Sequence, residues 1–294
     1  MAELGALGVW QATESLTAAA AGELARQLEA WGYSALWIPE TVGRDVTAHA
    51  AFLLGQTERL AVASGVANIY LRTALAAACA HKTLLEQSAG RFVMGLGVSH
   101  AVMIENLLGE AYKPPVAAMR AYLEVMAKAP YIAVPPTESG PKLLGALGPK
   151  MMALAAELAD GAHTYHATPE HTAEARAILG PGKLLCPELP VLLETDPAKA
   201  RGLARAAVAP YVDLPNYRNN WKRLGFADDD FENGGSERLM DAVVAWGDEA
   251  AIRARIQAHY DAGADHVCIQ ALRPDGAYGV SLETLAVFAP NKSS

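Results

Sequence analysis

Three segments of this 294-residue chain repeat one pattern: ARQLEAWGYSALWIPE, LAAELADGAHTYHA and RIQAHYDAGADHVCIQAL. Each runs from an amphipathic helix through a glycine (Gly32, Gly161 or Gly263) into an apolar run of strand length. A glycine just past a helix supplies a left-handed cap. An apolar run without polar alternation suits a parallel strand covered on both faces. SAGRFVMGLGVS has the same shape after the segment that carries His81 and Leu85. Helix alternating with strand implies a parallel sheet with right-handed crossovers.

Strand-length runs lie near residues 6–12, 35–40, 61–67, 92–98, 142–147, 162–167, 189–195 and 266–272. Eight such units close into a (β/α)8 TIM barrel, usually of about 250 residues. The expected architecture is therefore one α/β barrel domain over 1–294, with an open doubly wound sheet as the alternative. The surplus length falls in two insertions. APYIAVPPTESGP precedes strand five, and a polar, aromatic stretch over about 210–236 separates strands seven and eight near the barrel mouth.

Charge and cysteine usage narrow the partners. With 24 basic against 32 acidic residues the net charge is -8, which suits neither nucleic acid nor an anionic membrane surface. Cys79, Cys186 and Cys268 show no paired or metal-type spacing, so a reducing, cytoplasmic setting is expected. No signal peptide pattern opens the chain, and the Ala-rich stretch after Ala74 is broken by His81 and Lys82 before membrane-span length.

In a barrel, chemistry sits at the C-terminal ends of the strands. Those ends are poor in charge. Glu40 and Glu194 alone could pair as a glycosidase would require, which disfavours sugar hydrolysis. His163 and His166 stand an odd number of residues apart, so a strand sends them to opposite faces and no metal site is expected. GRFVMGLGVSH comes close to a dinucleotide fingerprint but lacks its last glycine, the clean helix and the later acidic residue. Packing suffices to explain Gly95, whereas Gly97, Ser99 and His100 are read as facing a ligand. A better anion site is LLGALGPKMM. There Pro149 suits the first helical position, and amides around Leu147, Gly148 and Lys150 are left free at the positive end of the helix. HATPEH offers a second such start, with Thr168 as N-cap.

ALWIPE, SGVANIYLR, GRFVMGLGVSH, ALGPKMMALAAELADGAH and the closing DAGADHVCIQ together resemble the luciferase-like monooxygenase superfamily. More narrowly, the chain resembles its actinobacterial-type branch of coenzyme F420 (deazaflavin)-dependent oxidoreductases. The resemblance implies a flat redox ring over the barrel mouth and a hydride exchanged with a small organic substrate. It also implies a homodimer. A bulge in the third strand, often with a non-proline cis peptide, would press on the ring, here at Gly65, Val66, Ala67 and Asn68. Backbone at Gly97, Val98 and Ser99 would pass along the ring or its ribityl chain. The Ala146–Leu147–Gly148 turn, with Lys150 and His166, would hold the phosphate and neighbouring parts of the cofactor. Lys150 and Arg44 could reach its acidic tail.

One departure bears on the reaction. In the sugar-phosphate dehydrogenase branch a histidine follows the acid that ends strand two, and a glutamate often follows strand four. Here Thr41 follows Glu40, and His100 stands at the later position. Sugar-phosphate oxidation is therefore not expected. His100 becomes the candidate proton donor, because imidazole titrates near neutral pH. Glu40 is the competing candidate, either as an acid or as a group that fixes the ring. FMN-dependent oxygenation and non-catalytic flavin binding are the remaining alternatives.

Overall fold

The computed structural model describes residues 4–291, so residues 1–3 and 292–294 of the expected span lie outside the described residues. The strands are β1 (Leu7–Trp10), β2 (Ala35–Ile38), β3 (Ala61–Ser64), β4 (Ala67–Asn68), β5 (Phe92–Gly97), β6 (Lys142–Gly145), β7 (Gly161–Thr164), β8 (Leu184–Leu193), β9 (Ala245–Gly247) and β10 (Val267–Ala271). Every pairing is parallel, and β10 pairs with both β1 and β8, which closes the ring. β4 and β9 stand outside the ring order, leaving eight barrel strands. The fold is the expected TIM barrel.

Side chains sort by strand parity. On β2, Ala35 and Trp37 join the barrel interior with Trp10, Val93, Leu143, Cys186 and Cys268. Leu36 and Ile38 face the helices in the main core. Among the described residues no helix is long and apolar enough to cross a membrane.

Four details differ from the sequence expectation. Gly32 and Gly263 do sit at positive φ just past their helices, but Gly161 opens β7 instead. A Cβ there would come within 2.0 Å of the Leu184 carbonyl oxygen, so Gly161 permits close strand approach. The seventh barrel strand begins at Leu184 and not at 189, because Pro187 and Glu188 disguise a strand that pairs on both edges. The third strand does not run unbroken to 67, because the bulge that the resemblance implies at Gly65–Asn68 interrupts it. It stops at Ser64 and resumes as β4 beside β5. The second insertion is mostly helical, with a helix Pro215–Arg223 and a 3-10 segment Asp228–Gly234. Its Tyr217, Trp221 and Phe231 pack with Leu192 and the helix Pro197–Val212 into a second apolar cluster above the mouth.

Candidate active site

The break between β3 and β4 is a cis peptide bond at Gly65–Val66. It sets the surrounding composition. A Cβ on Gly97 would stand 2.4 Å from Val66 Cγ2, and one on Gly95 only 2.1 Å from the Ser64 carbonyl oxygen. Both glycines are thus explained by the passing bulge, a packing reason where a ligand was expected for Gly97. Ser64 Oγ fastens the two strands, donating to Gly95 O at 2.8 Å and accepting from Gly95 N at 2.9 Å. Trp10 Nε1 donates to Gly65 O at 3.1 Å.

Glu40 holds the other side of the bulge. Its Oε2 accepts from Asn68 N at 2.8 Å and from Arg72 Nη1 at 2.6 Å, while Oε1 accepts from Arg72 Nη2. The pair is nearly dry, with side chains 2 % (Glu40) and 8 % (Arg72) exposed. Both Glu40 oxygens are therefore committed to the scaffold, which suits a positioning part. Arg72 was missed in the sequence, although SGVANIYLR ends on it. A lone cation four residues after the bulge was the available signal.

At the end of β5, Val98, Ser99 and His100 are half-buried. Ser99 takes a left-handed φ of 55°, and its carbonyl oxygen accepts from Tyr112 Oη at 3.2 Å. The His100 ring lies 6.1 Å from that of Tyr217. Burial pushes the His100 pKa below the usual imidazole value, opposed by a hydrogen bond with Asn216. The ring is therefore neutral at neutral pH and better suited to accept a proton than to donate one.

The turn after β6 has the expected open form. Gly148 is the N-cap of the helix Pro149–Leu158, no side chain caps it, and a Cβ at Gly148 would meet nothing within 4 Å. Ala146 N is spent on His163 O at 3.1 Å, so the free amides begin beyond it. The Leu147 carbonyl oxygen is held by His171 Nε2 and by Arg223 Nη2 of the insertion, each at 2.9 Å. A cavity of about 110 Å³ borders this turn, lined in part by Leu147, Pro149, His171 and Arg223. Lys150 is exposed beside it. Arg44 is not free for a cofactor tail, because its guanidinium donates to the backbone oxygens of Thr13 and Leu16. Thr168 caps the next helix as expected, accepting from His171 N at 3.3 Å.

His166 lies deeper than a rim residue. It is 1 % exposed, at a φ of 49°, with both ring nitrogens unpartnered. Tyr165 and Tyr211 meet it edge-on at 4.3 and 4.6 Å, and Tyr217 lies at 6.1 Å. Beneath it sits Glu188, fully buried, whose Oε2 accepts from His166 N at 3.0 Å and whose Oε1 has no partner. Burial raises the Glu188 pKa to about 8 and drives that of His166 down to about 3, so both are neutral at neutral pH.

Stability should record this. All eight histidines have lowered pKa values, with desolvation the largest cause. Below about pH 6.5 the unfolded chain binds protons that the folded histidines refuse, so stability rises with pH there. Above it, unfolded Glu188 is ionised while the folded group keeps its proton up to about pH 8. The folded state then holds the extra proton at this group, so the Glu188 contribution alone should fall by about 2 kcal/mol between about pH 6.5 and 8, at roughly 1.4 kcal/mol per unit, against the rise that the unfolded histidines still supply there. Urea unfolding at both pH values should show the wild type losing about 2 kcal/mol relative to Glu188→Gln as the pH rises. An equal change in both proteins would remove Glu188 as its source.

The luciferase-like monooxygenase family model matches residues 3–266. The chain belongs to that family. Among curated relatives, a Mycobacterium tuberculosis protein named as a coenzyme F420-dependent oxidoreductase is 30% identical over 185 residues, 53% of this chain and 52% of that one. A 5,10-methylenetetrahydromethanopterin reductase of Archaeoglobus fulgidus is 31% identical over 147 residues, 44% of each chain. The chain thus spans about half the length of the curated relatives it matches. The fold agrees over nearly full length with the coenzyme F420-dependent tetrahydromethanopterin reductase of Methanopyrus kandleri, at TM-score 0.73 and 18% identity, covering 92% of this chain and 93% of that one. The FMN-bound oxygenating constituent of 3,6-diketocamphane monooxygenase from Pseudomonas putida matches at TM-score 0.72 and 14% identity, with 97% of each chain covered.

The residues of this luciferase-like chain suit a flat cofactor with a phosphate arm. The uncapped Gly148 helix start leaves room for an anion, and the unpartnered His166 nitrogens are free to hydrogen-bond to a neutral group. Sequence reading missed Glu188, Tyr165 and Arg223. For Glu188 the signal was a charge inside the apolar run LLCPELPVLL.

Proposed function

We propose that this protein is a coenzyme F420-dependent oxidoreductase that exchanges a hydride with a small organic substrate. The observation that carries the reading is the Gly65–Val66 bulge, braced by Glu40 and Arg72, at the same barrel mouth as the open Gly148 turn. The deazaflavin relatives add support. Bound there, the deazaflavin supplies a planar two-electron hydride carrier. Val66 and its neighbours give that ring a backing, and the amides beyond Gly148, aided by Lys150, hold its phosphate. Backbone at Val98 and Ser99 lines the path between them, and His100 manages the substrate proton at a ring nitrogen.

Fluorescence titration of the apoprotein should show tighter binding of coenzyme F420 than of FMN, weakening with salt because the F420 tail is acidic. Equal or stronger FMN binding would turn the reading to flavin oxygenation, which the FMN-bound neighbour favours. Gly148→Asp should reduce cofactor affinity at least tenfold while changing stability by less than about 1 kcal/mol, because its side chain enters open space beside the anion. Undiminished affinity would move the phosphate elsewhere.

A further inference from the structure

We propose that Glu188 donates a hydrogen bond to the substrate, and that the buried polar cluster it forms with His166 takes an uncharged, planar, oxygen-bearing molecule. The proposal deepens the hydride-transfer reading and rests on it only for the name substrate. The binding site itself follows from the side chains.

Glu188 shares the inward face of β8 with Cys186, which lies in the barrel interior, and with Leu192, which packs beneath the insertion. The acid therefore stands between the packed barrel layers and the mouth. Three buried polar atoms meet there without partners: Glu188 Oε1 and both ring nitrogens of His166. Buried polar atoms are nearly always satisfied, and a cluster left without partners beneath a barrel mouth marks a place for ligand atoms. The cover is aromatic. Tyr165, from the end of β7, hydrogen-bonds to Gln270 at 3.1 Å, and Tyr211 and Tyr217 close over His166 from the insertion side.

Among the described residues named around Glu188 and His166, none brings a positive charge. His166 is neutral, Tyr165, Tyr211 and Tyr217 are held protonated by burial, and Cys268, facing the acid from β10, has a strongly raised pKa. Arg223, the guanidinium that the insertion brings to this rim, is spent on Leu147 O and Asn220 Oδ1. A carboxylate or phosphate would lose its hydration here without a counter-charge, whereas a carbonyl or hydroxyl oxygen meets a carboxyl O–H and flat rings. Among these facing groups Glu188 alone titrates near pH 8.

The experiment uses apoprotein and two probes of equal shape, 2-acetylnaphthalene and anionic 2-naphthoate, titrated by intrinsic fluorescence and calorimetry from pH 6 to 9.5. We expect 2-acetylnaphthalene to bind at least tenfold more tightly than 2-naphthoate at pH 7. Its affinity should fall at least tenfold between pH 7 and 9.5 in the wild type and stay level in Glu188→Gln, where the amide N–H donates at every pH. Equal binding of 2-naphthoate, no binding of the ketone, or a level wild-type profile would each overturn the proposal. If Glu188→Gln does not fold, the wild-type pH profile decides. Cofactor is absent throughout, so failure of the deazaflavin reading would appear in the cofactor titration and leave this result standing.

Discussion

Arg72→Met should destabilise the protein by about 3–5 kcal/mol, the range for removing one partner of a buried ion pair. Glu40 and Arg72 are both nearly excluded from solvent, and Asn68 N also depends on Glu40. Methionine fills much of the volume but leaves the Glu40 carboxylate buried with only its backbone donors. Asn68 is then held by an acid that must either gain water or take up a proton, and β4 loosens against β5. Cofactor affinity should fall in the same variant, because the bulge that backs the ring is anchored by this pair. Urea denaturation measures the first effect and cofactor titration the second. In the double variant Glu40→Gln/Arg72→Met the losses should be smaller than the sum, since no charge is left alone. A loss below about 1 kcal/mol in Arg72→Met would mean that water reaches the pair and that it does not brace the bulge.

The barrel was legible because its units are local. Helix, cap and apolar strand each leave a mark within about fifteen residues, and Gly32 and Gly263 carry the caps that pattern requires. The anion turn was legible for the same reason: Gly148 and Pro149 announce a helix start by type alone. What was hidden depends on distant partners. Glycine at position 97 looks the same whether a ligand or Val66 occupies the space beside it. Glu40 ends a strand at a rim, and only the return of Arg72 shows that both its oxygens are taken. Glu188 sits in a run whose two prolines argue against a central strand, so its place inside the barrel could not be seen until β7 and β10 were set beside it. The insertion's composition shows it as polar and aromatic, with Tyr217, Arg218, Asn220 and Trp221 standing out, but not which of these turn inward. Its buried side chains, Tyr217, Asn220 and Trp221, share one face only once the segment is helical.

His100→Ala should keep the fold and most cofactor binding while lowering turnover at saturating cofactor by about 10²–10⁴-fold, the usual contribution of a positioned acid or base. His100 stands just beyond β5 and is half-buried at the rim, outside the packed layers of the barrel. Its removal opens no core cavity, so stability should change by less than about 2 kcal/mol. Burial has already lowered its pKa, which keeps the imidazole neutral and able to take the proton that a hydroxyl releases as its carbon gives up hydride. The sign of the pH dependence follows. In the oxidising direction the wild-type rate should be full at neutral pH and fall as pH drops through a value below the ordinary imidazole range, and His100→Ala should lack that limb. The Glu40 oxygens are held by Arg72 and Asn68, so Glu40→Gln should weaken cofactor binding and leave the limb in place. Unchanged turnover in His100→Ala, or an acid limb that survives it, would assign the proton to the substrate itself or to a group of the insertion.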